Sequence, residues 1–198
     1  MKAVILANGD YPTHAIPLRM LQEADMVVCC DGAANEYIRR GGTPTAIVGD
    51  GDSIAPAYRH LLHQVSEQET NDLTKAVRFL REKGIEEVAV LGATGRREDH
   101  TIGNVSLLME YYKKGINVLM FTDFGFFRPC QNRTVFSAKK GQQISVFNFG
   151  CTRMESEGLK YPLYNLQNWW QGTLNEALGD SFTIDADGYY LVYFAYEP

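Results

Sequence analysis

The chain has 198 residues, of which 45% are hydrophobic, so it can form one large domain or two small ones around a buried core. Its 19 Lys and Arg residues against 24 acidic residues give a formal net charge of −5 at pH 7, which argues against a general nucleic-acid binder and a polybasic membrane-surface protein. The apolar runs are too short to span a membrane, and the four cysteines lack metal-site spacing. We therefore expect a cytoplasmic protein with no nucleic-acid or membrane partner.

Residues 1–124 alternate between short apolar runs and helical patterns. Five β-branched runs are typical of strands buried on both faces of a parallel sheet. They lie at Ala3–Ala7, Met26–Cys30, Ala46–Val48, Val88–Leu91 and Val118–Phe121. A helix is predicted from Asp72 to Lys83, with Thr70 or Asn71 as its cap, and a second helix ends before Gly115. The alternation predicts an α/β fold with a doubly wound, mostly parallel, Rossmann-like sheet.

The pattern changes after Asp123. We interpret Phe124–Pro129 as a connector, and short β-type runs separated by turn signals follow it. These runs lie at Thr134–Phe136, Ile144–Phe149, Ser181–Ile184 and Tyr189–Phe194. They predict a second, all-β domain over residues 125–198, a sandwich or a partial barrel, of which we take the sandwich as the expectation.

Polar clusters follow three of the predicted strands, and a fourth opens the helix that contains Lys75. In open parallel sheets, ligands bind beyond the carboxyl ends of the strands. The clusters are Asp31–Asn35, Gly49–Ser53, Glu69–Asp72 and Gly92–His100. Because all four can converge on one rim of the sheet, together they indicate a binding site more strongly than any one of them does.

Asp50-Gly51-Asp52 is the most telling of these local features. Carboxylates two residues apart on extended backbone point the same way, and holding them close is costly unless a cation lies between them. Oxygen-only ligands suit Mg²⁺, which commonly takes one or two carboxylates together with substrate phosphates. A solvated acidic turn is the alternative.

The other acidic positions each allow two interpretations. Asp31 either caps a helix or serves as a carboxylate on the metal or phosphate side. Asp72 and Lys75 form either an ordinary ion pair one helical turn apart, or a metal ligand and a phosphate-binding cation. Thr70 and Asn71 either cap the helix or offer donors to a nucleotide.

The turn from Gly92 to His100 combines glycines with Arg96 and Arg97. Backbone N–H groups and guanidinium groups both suit phosphate, although a basic solvated loop is the alternative. The turn lacks GxGxxG, and the chain has no GxxxxGK[ST], so the common dinucleotide and P-loop motifs are absent from the sequence. His100 is expected to pack near the site rather than to act as a base.

Aromatic residues are frequent near the end of the chain, among them Trp169 and Trp170, with Thr173 and Asn175 close in sequence. They belong either to the core and rim of the β-domain or to a stacking wall for a flat or cationic substrate.

In this order, the clusters resemble the thiamine pyrophosphokinase family over nearly the whole chain. Gly49–Ile54 is similar to the family's Gly-Asp-x-Asp-Ser-Ile, the most specific block, and Asp31–Asn35 to Asp-Gly-[Gly/Ala]-Ala-Asn. Gly158–Tyr161 looks like the family's Gly-Leu-Lys-Trp, with Tyr for Trp, and the match is looser in this C-terminal part.

Two further blocks resemble the family but depart from it at one position each. Glu69–Lys75 is similar to acidic-x-Thr-Asp-x-x-Lys, with Asn71 where Thr is usual. Gly95–His100, with Asn104, is similar to Gly-Gly-Arg-x-Asp-His followed by Asn, with Arg96 in place of the second Gly.

The resemblance implies a homodimer with shared active sites that moves the pyrophosphate of ATP to thiamine with Mg²⁺, giving thiamine diphosphate and AMP. The catalytic residues it implies are Asp31, Asp50, Asp52, Asp72, Asp99 and Arg97, of which Asp50, Asp52 and Asp72 would hold the metal. On the ATP side it implies Thr70, Asn71, Lys75, Gly95, Arg96, His100 and Asn104, and on the thiamine side, more weakly, Trp169, Trp170, Thr173 and Asn175. A pyrophosphokinase for another small alcohol, such as a hydroxymethylpterin, or a non-catalytic nucleotide or thiamine sensor, is the alternative.

Overall fold

Residues 2–197 are described by a computed structural model, and the chain divides into two units, Met1–Asp123 and Phe124–Pro198. The first unit is built on a parallel sheet in the order β6-β5-β1-β2-β3-β4. Its strands are β1 (Ala3–Leu6), β2 (Met26–Cys30), β3 (Ala46–Gly49), β4 (Leu62–Gln64), β5 (Glu87–Leu91) and β6 (Asn117–Phe121). Because the chain runs outward from β1 in one direction and then from β5 in the other, the sheet is doubly wound, as predicted.

Four helices connect these strands. They are α1 (Ala15–Gln22), α2 (Ala33–Arg39), α3 (Asp72–Glu82) and α4 (Glu98–Lys113), and a 3-10 helix lies at Pro56–Leu61. Leu21 of α1 and Ala33 of α2 join the core with Val4 and Val27 of the sheet. Helix α3 packs on β1, β2 and β3, and α4 packs on β6. Within residues 2–197, every helix is too short or too polar to cross a lipid bilayer.

Helix α3 begins at the predicted residue, Asp72, and ends at Glu82, one residue before the predicted Lys83. The side chain of Asn71 accepts a hydrogen bond from Thr74 N at 3.0 Å and so caps the first turn. Leu73, Ala76, Val77 and Leu80 form an apolar stripe at helical spacing and are buried, and Gly84 follows the helix with φ +76°. The buried apolar stripe and the cap together fix the orientation of the polar residues in the first turn of α3.

Removing this cap is expected to destabilise the protein without altering its fold. We predict that Asn71→Ala lowers the free energy of unfolding by about 1 kcal/mol, because Thr74 N–H loses its acceptor. Asn71→Asp keeps that acceptor and is the matched control. Urea unfolding followed by circular dichroism measures both variants, and equal losses in the two would contradict the assignment of Asn71 as the cap.

The second unit contains two antiparallel sheets, in the orders β11-β9-β13-β7 and β10-β12-β8. The strands are β7 (Gly125–Gln131), β8 (Thr134–Ser137), β9 (Gln143–Asn148), β10 (Met154–Glu157), β11 (Asn175–Glu176), β12 (Ser181–Ala186) and β13 (Tyr189–Ala195). Phe136 and Phe182 of one sheet pack on Phe194 of the other, with ring centroids 5.7 and 6.0 Å from it. A single core of both sheets makes this unit a sandwich, which confirms the predicted fold class.

The predicted connector Phe124–Pro129 is wrong. Strand β7 covers most of it and pairs with β13 from Gly125↔Ala195 to Gln131↔Tyr189. Pro129 lacks the N–H group that a strand ladder uses, which makes proline unusual inside a strand. Burial decides otherwise, since the Phe126 ring stacks on Phe194 at 4.8 Å and thereby commits this stretch to the sandwich.

Candidate active site

A cavity of about 460 Å³ lies at the carboxyl end of the sheet in the first unit. Its walls come from the loops after β1, β3 and β5 and from the start of α3, so it lies at the point where the winding of the sheet reverses. The predicted site residues that line it are Asp50, Thr70, Asn71, Asp72, Lys75, Gly95, Arg96, Arg97, His100 and Asn104. Three of the four predicted clusters, Gly49–Ser53, Glu69–Asp72 and Gly92–His100, therefore contribute to this cavity, whereas no residue of Asp31–Asn35 lines it.

Lys75 and Asp72 lie on the first turn of α3 and both face this cavity. Lys75 Nζ lies 3.2 Å from Asp72 Oδ1, and Lys75 is only 4% exposed. A buried ammonium group is costly unless a carboxylate or another anion compensates its charge. The pair is thus an i, i+3 ion pair, and it also presents one positive and one negative group to the same space.

Asp50 and Asp52 follow β3, and only Asp50 lines the cavity. The extended backbone expected here is not found, because β3 ends at Gly49 and Gly51 turns the chain with φ +88°. Asp50 Oδ1 accepts a hydrogen bond from Asp52 N at 3.1 Å, and this bond, with one from Gln68 at 3.4 Å, lowers the pKa of Asp50. Asp50 lines the cavity as a carboxylate, whereas Asp52 is exposed and does not line it.

Asp31 is buried directly beneath this loop. Its Oδ2 accepts a hydrogen bond from Ser53 N at 2.8 Å, while its Oδ1 has no hydrogen-bond partner within residues 2–197. Gly32, not Asp31, is the N-cap of α2, so the helix-cap interpretation is wrong. Burial raises the pKa of Asp31, and the charges of Asp72 and Asp50 raise it further against the effect of the Ser53 bond. Asp31 does not line the cavity.

Stability should therefore depend on pH through Asp31. Since burial raises its pKa in the folded chain, its contribution to stability is fully present below the unfolded-state pKa and is lost as pH rises through the folded-state pKa. We expect Asp31→Asn, which keeps an acceptor for Ser53 N–H, to raise the melting temperature at pH 7 by a few degrees. This gain should vanish near pH ~3, where the aspartate is protonated in both states.

Thermal unfolding in EDTA over a series of pH values measures this effect. Asp180→Asn, at an exposed position of the second unit, is the control and should leave the pH profile unchanged. A stability difference between Asp31→Asn and the parent chain that stays constant from pH 3 to about 7 would contradict the burial argument.

The acidic residues fit a hard divalent cation by their chemistry. Within residues 2–197, no three His, Cys, Asp or Glu side chains come close enough to hold an ion by themselves. An ideal Cβ at Gly49 would lie 2.8 Å from Asp31 Cβ and 3.4 Å from Asp72 Cγ, so these two side chains flank the end of β3. Oxygen-only donors and one unpaired carboxylate oxygen suit Mg²⁺, which commonly completes its shell with phosphates and water.

Arg97 lines the cavity and is hydrogen-bonded to Asp99. Arg97 Nε and Nη2 donate to Asp99 Oδ1 and Oδ2 at 3.1 and 2.6 Å. This pairing lowers the pKa of Asp99 to about 2, so Asp99 stays ionised. Asp99 does not line the cavity, and its contact is with the arginine that does.

Asn104 connects the elements around the cavity. Its Nδ2 donates to Ala93 O at 2.9 Å, and its Oδ1 accepts from Asn71 Nδ2 at 3.1 Å. It therefore ties α4 to the loop after β5 and to the cap of α3. Asn71 and Asn104, both predicted site residues, therefore use part of their hydrogen-bonding capacity to hold the rim of the cavity together.

The four predicted thiamine-side residues lie in the second unit. Trp170 is 72% exposed, and Trp169 is partly exposed and donates from Nε1 to Asn148 O at 3.1 Å. Thr173 Oγ1 donates to Trp170 O at 2.7 Å. Asn175 is buried, and its amide bonds the backbone of residues 161 and 176, which makes it a support of the chain around it.

Eight residues of the cavity wall have no role predicted from the sequence: Ala7, Asn8, Gly9, Cys30, Ser53, Gln68, Leu73 and Ala93. Asn8 and Gly9 directly follow β1, so the rule that ligands bind at the carboxyl ends of strands would have found them. Gly9 must be small, because an ideal Cβ there would lie 2.3 Å from Thr94 O. Gln68 carries no comparable signal, since its place depends on the loop that leads into α3.

Comparisons with known proteins agree with this architecture. Two family models match the chain: "Thiamin pyrophosphokinase, catalytic domain" over residues 18–120 and "Thiamin pyrophosphokinase, substrate-binding domain" over residues 125–193. The solved structure of thiamine pyrophosphokinase from Bacillus subtilis covers 100% of both chains with a TM-score of 0.80 at 21% identity. Yeast thiamin pyrophosphokinase covers 98% of this chain and 86% of its own, with a TM-score of 0.78 at 18% identity. At these identities the structures establish the fold.

Curated relatives are similar in sequence over parts of the chain. Thiamine pyrophosphokinase 1 of Oryza sativa subsp. japonica is 31% identical over 61% of this chain and 55% of its own length. Thiamine pyrophosphokinase of Bacillus subtilis is 26% identical over 83% of each. The chain spans about half the length of the rice relatives that it matches. Because the catalytic-domain model alone matches more than half of the sequence, this chain belongs to the thiamin pyrophosphokinase family.

Proposed function

We propose that this protein transfers the pyrophosphoryl group of ATP to the hydroxyl group of thiamine, giving thiamine diphosphate and AMP. The observation that carries the proposal is the buried Lys75 beside Asp72, in one cavity with Asp50 and Arg97. Such a mixture of cations and carboxylates suits a polyphosphate that arrives with a divalent cation. Relatives of this chain are named for the same activity.

In the proposed reaction, the hydroxyl oxygen of thiamine forms a bond to the β-phosphorus of ATP. The bond from that phosphorus to the oxygen bridging to the α-phosphate breaks, and AMP leaves with the electron pair. A carboxylate of the cavity takes the hydroxyl proton. Positioning and charge stabilisation dominate such transfers, so Lys75 and Arg97 would neutralise the charge that develops on the phosphoryl oxygens.

Asp50 and Asp72, which line the cavity, would hold Mg²⁺ together with Asp52 from the exposed part of the same loop, with Asp31 beneath them. The ion would supply neutralisation of the phosphate charge when bound. Asp99 would position Arg97 through its two hydrogen bonds. The remaining nucleotide contacts would come from Thr70, Asn71, Gly95, Arg96, His100 and Asn104, which line the cavity.

The thiamine side of the proposal rests on the second unit. The exposed ring of Trp170 and the partly exposed ring of Trp169 offer faces to a flat, cationic heterocycle. Thr173 would add a hydroxyl group, and Asn175 would support this segment from within. We propose further that the protein acts as a cytoplasmic homodimer with shared active sites, without nucleic-acid or membrane partners.

The products formed from Mg-ATP and a panel of acceptors test this function. Chromatography of reactions with thiamine should reveal thiamine diphosphate and AMP in equal amounts. AMP formed only with a hydroxymethylpterin would replace thiamine by another alcohol. Tight binding of ATP and thiamine without turnover would overturn the enzymatic proposal in favour of a sensor.

A further inference from the structure

A second cavity of about 350 Å³ adjoins the main one in the first unit, and we name it the α2 cavity. The two cavities share three wall residues, Asn8, Ser53 and Arg96. The remaining lining residues, on α2 and the turn before it, are Gly32, Asn35, Glu36 and Arg39. None of the roles proposed above involves helix α2.

The hydrogen-bonding groups left free on the walls of the α2 cavity are mainly donors. Arg39 uses Nε and Nη2 on Glu36, at 2.9 and 2.6 Å, which leaves Nη1. Arg96 uses Nη1 on Asn8 O and Oδ1, at 3.2 and 3.0 Å, which leaves Nε and Nη2. Asn8 Nδ2 and the Ser53 hydroxyl add to this set, and no described residue between 2 and 197 pairs with these groups.

The one carboxylate in the lining is already satisfied. Glu36 Oε1 accepts from both Arg39 and Arg40 at 2.6 Å, and these hydrogen bonds lower the pKa of Glu36 to about 2. The two arginines of the lining therefore outweigh its single carboxylate. A surplus of positive charge together with free donors suits an anion with several acceptor oxygens.

Arg96 lies on backbone that suits glycine better. Its φ of +52° is in the left-handed region, which is costly for a residue with a long side chain. Residues held in such conformations by their surroundings concentrate at ligand sites. Asn8 can reach Arg96 because Gly32 has no side chain: an ideal Cβ at Gly32 would lie 2.7 Å from Asn8 Nδ2.

We infer that the α2 cavity is an oxyanion subsite for a phosphate or pyrophosphate group, bound by Arg39 and Arg96, with Asn8 as the positioning residue. The anion is either a free inorganic ion or the terminal phosphate of a nucleotide in the main cavity, because Arg96 lies on both walls. With a free anion the subsite depends only on the charge and donors of the α2 cavity, whereas with the nucleotide's own phosphate it rests on the proposed function, because Arg96 also lines the main cavity.

Two arginines on the same helix provide a matched test. Arg39→Gln removes two hydrogen bonds to Glu36 and Arg40→Gln removes one, but only Arg39 lines the α2 cavity. Isothermal titration of the full chain with inorganic pyrophosphate, with and without saturating Mg²⁺ and α,β-methylene-ATP, measures the subsite. Loss of a charge-assisted hydrogen bond is worth roughly tenfold or more in affinity.

If the subsite takes a free anion, pyrophosphate binds in the presence of the analogue, and Arg39→Gln weakens that binding about tenfold. If it takes the nucleotide's own phosphate, the analogue excludes pyrophosphate, and Arg39→Gln weakens binding of the analogue instead. Arg40→Gln should stay within about twofold of the parent chain in both cases. Equal affinities of both variants and the parent chain for both probes would overturn the inference.

Arg96→Gly separates an effect on anion binding at the α2 cavity from an effect on the stability of the fold. Glycine relaxes the left-handed backbone, so the melting temperature should not fall, while affinity for the same probe drops. An unchanged affinity at an unchanged melting temperature would again overturn the inference. Thiamine diphosphate formation is measured in a separate assay. If the parent chain shows no turnover but Arg39→Gln still binds the probe more weakly than Arg40→Gln does, only the proposed function is refuted.

Discussion

Lys75→Met is expected to lower the turnover number for AMP formation by about a hundredfold to a thousandfold. Methionine keeps the volume of the buried stem, but it removes the one charge that α3 presents to the cavity beside Asp72. Loss of one preorganised group that stabilises transition-state charge typically costs this much in kcat. The KM for thiamine should change far less, because the proposed role is on the phosphate side.

Initial rates at saturating Mg-ATP measure the effect of Lys75→Met, with circular dichroism to establish that the variant folds. Lys140→Met, at an exposed position of the second unit, is the control and should leave the rate unchanged. A folded Lys75→Met chain that retains more than about a third of the parent rate would refute a role for Lys75 in charge stabilisation.

Asp72→Asn should reduce turnover by a similar factor of about a hundred or more, and it should also raise the Mg²⁺ concentration that gives half the maximal rate. Asparagine keeps an oxygen for Lys75 Nζ, so the loss reports on the carboxylate charge and not on packing. Asp50→Asn should behave in the same way, because Asp50 also lines the cavity.

The Mg²⁺ dependence of the rate distinguishes two causes of the lower turnover: loss of a metal ligand, and loss of the charged contact with Lys75. In a titration with MgCl₂ at fixed ATP, the curve for Asp72→Asn should move to higher concentration, whereas the curve for the control Asp180→Asn should coincide with that of the parent chain. A lower rate with an unchanged Mg²⁺ dependence would contradict the metal role of Asp72 and leave only its contact with Lys75.

Most of the fold could be predicted because short-range patterns decide it. Continuous β-branched runs such as Met26–Cys30 indicate buried parallel strands, and the structure has that strand with the same bounds. The stripe and cap of α3 are equally local and were found. Phe124–Pro129 was misjudged because its assignment to β7 depends on pairing with β13, more than 60 residues later in the chain.

The site was predictable at the level of loops and less so at the level of atoms. The rule for the carboxyl ends of strands predicts from the sequence alone that Asp50 and Arg97 lie at one rim. The burial of Lys75 depends on how α3 packs on β1, β2 and β3, which spacing alone does not reveal. The turn at Gly51, with φ +88°, and the hydrogen bonds between Arg97 and Asp99 are details of local geometry that the strand-end rule does not address.

The resemblance to a known family supplied the substrate, which residue chemistry alone left open. The carboxylates and cations of the cavity predict a polyphosphate with a divalent cation, and they do so for any alcohol acceptor. The choice of acceptor depends on the second unit. There, Trp169 and Trp170 make hydrogen bonds within their own unit, and Asn175 is buried in it. The product assay with thiamine and a hydroxymethylpterin therefore decides which alcohol is the acceptor.

The fate of the β-phosphorus tests the central claim most directly. Incubation with Mg²⁺, thiamine and ATP carrying ³²P at the β position, followed by separation of the products, reveals where the label goes. Attack on the β-phosphorus predicts that all released label appears in thiamine diphosphate and that the AMP is unlabelled. Label found in ADP, with thiamine monophosphate as the other product, would mean transfer of a single γ-phosphoryl group and would contradict the account.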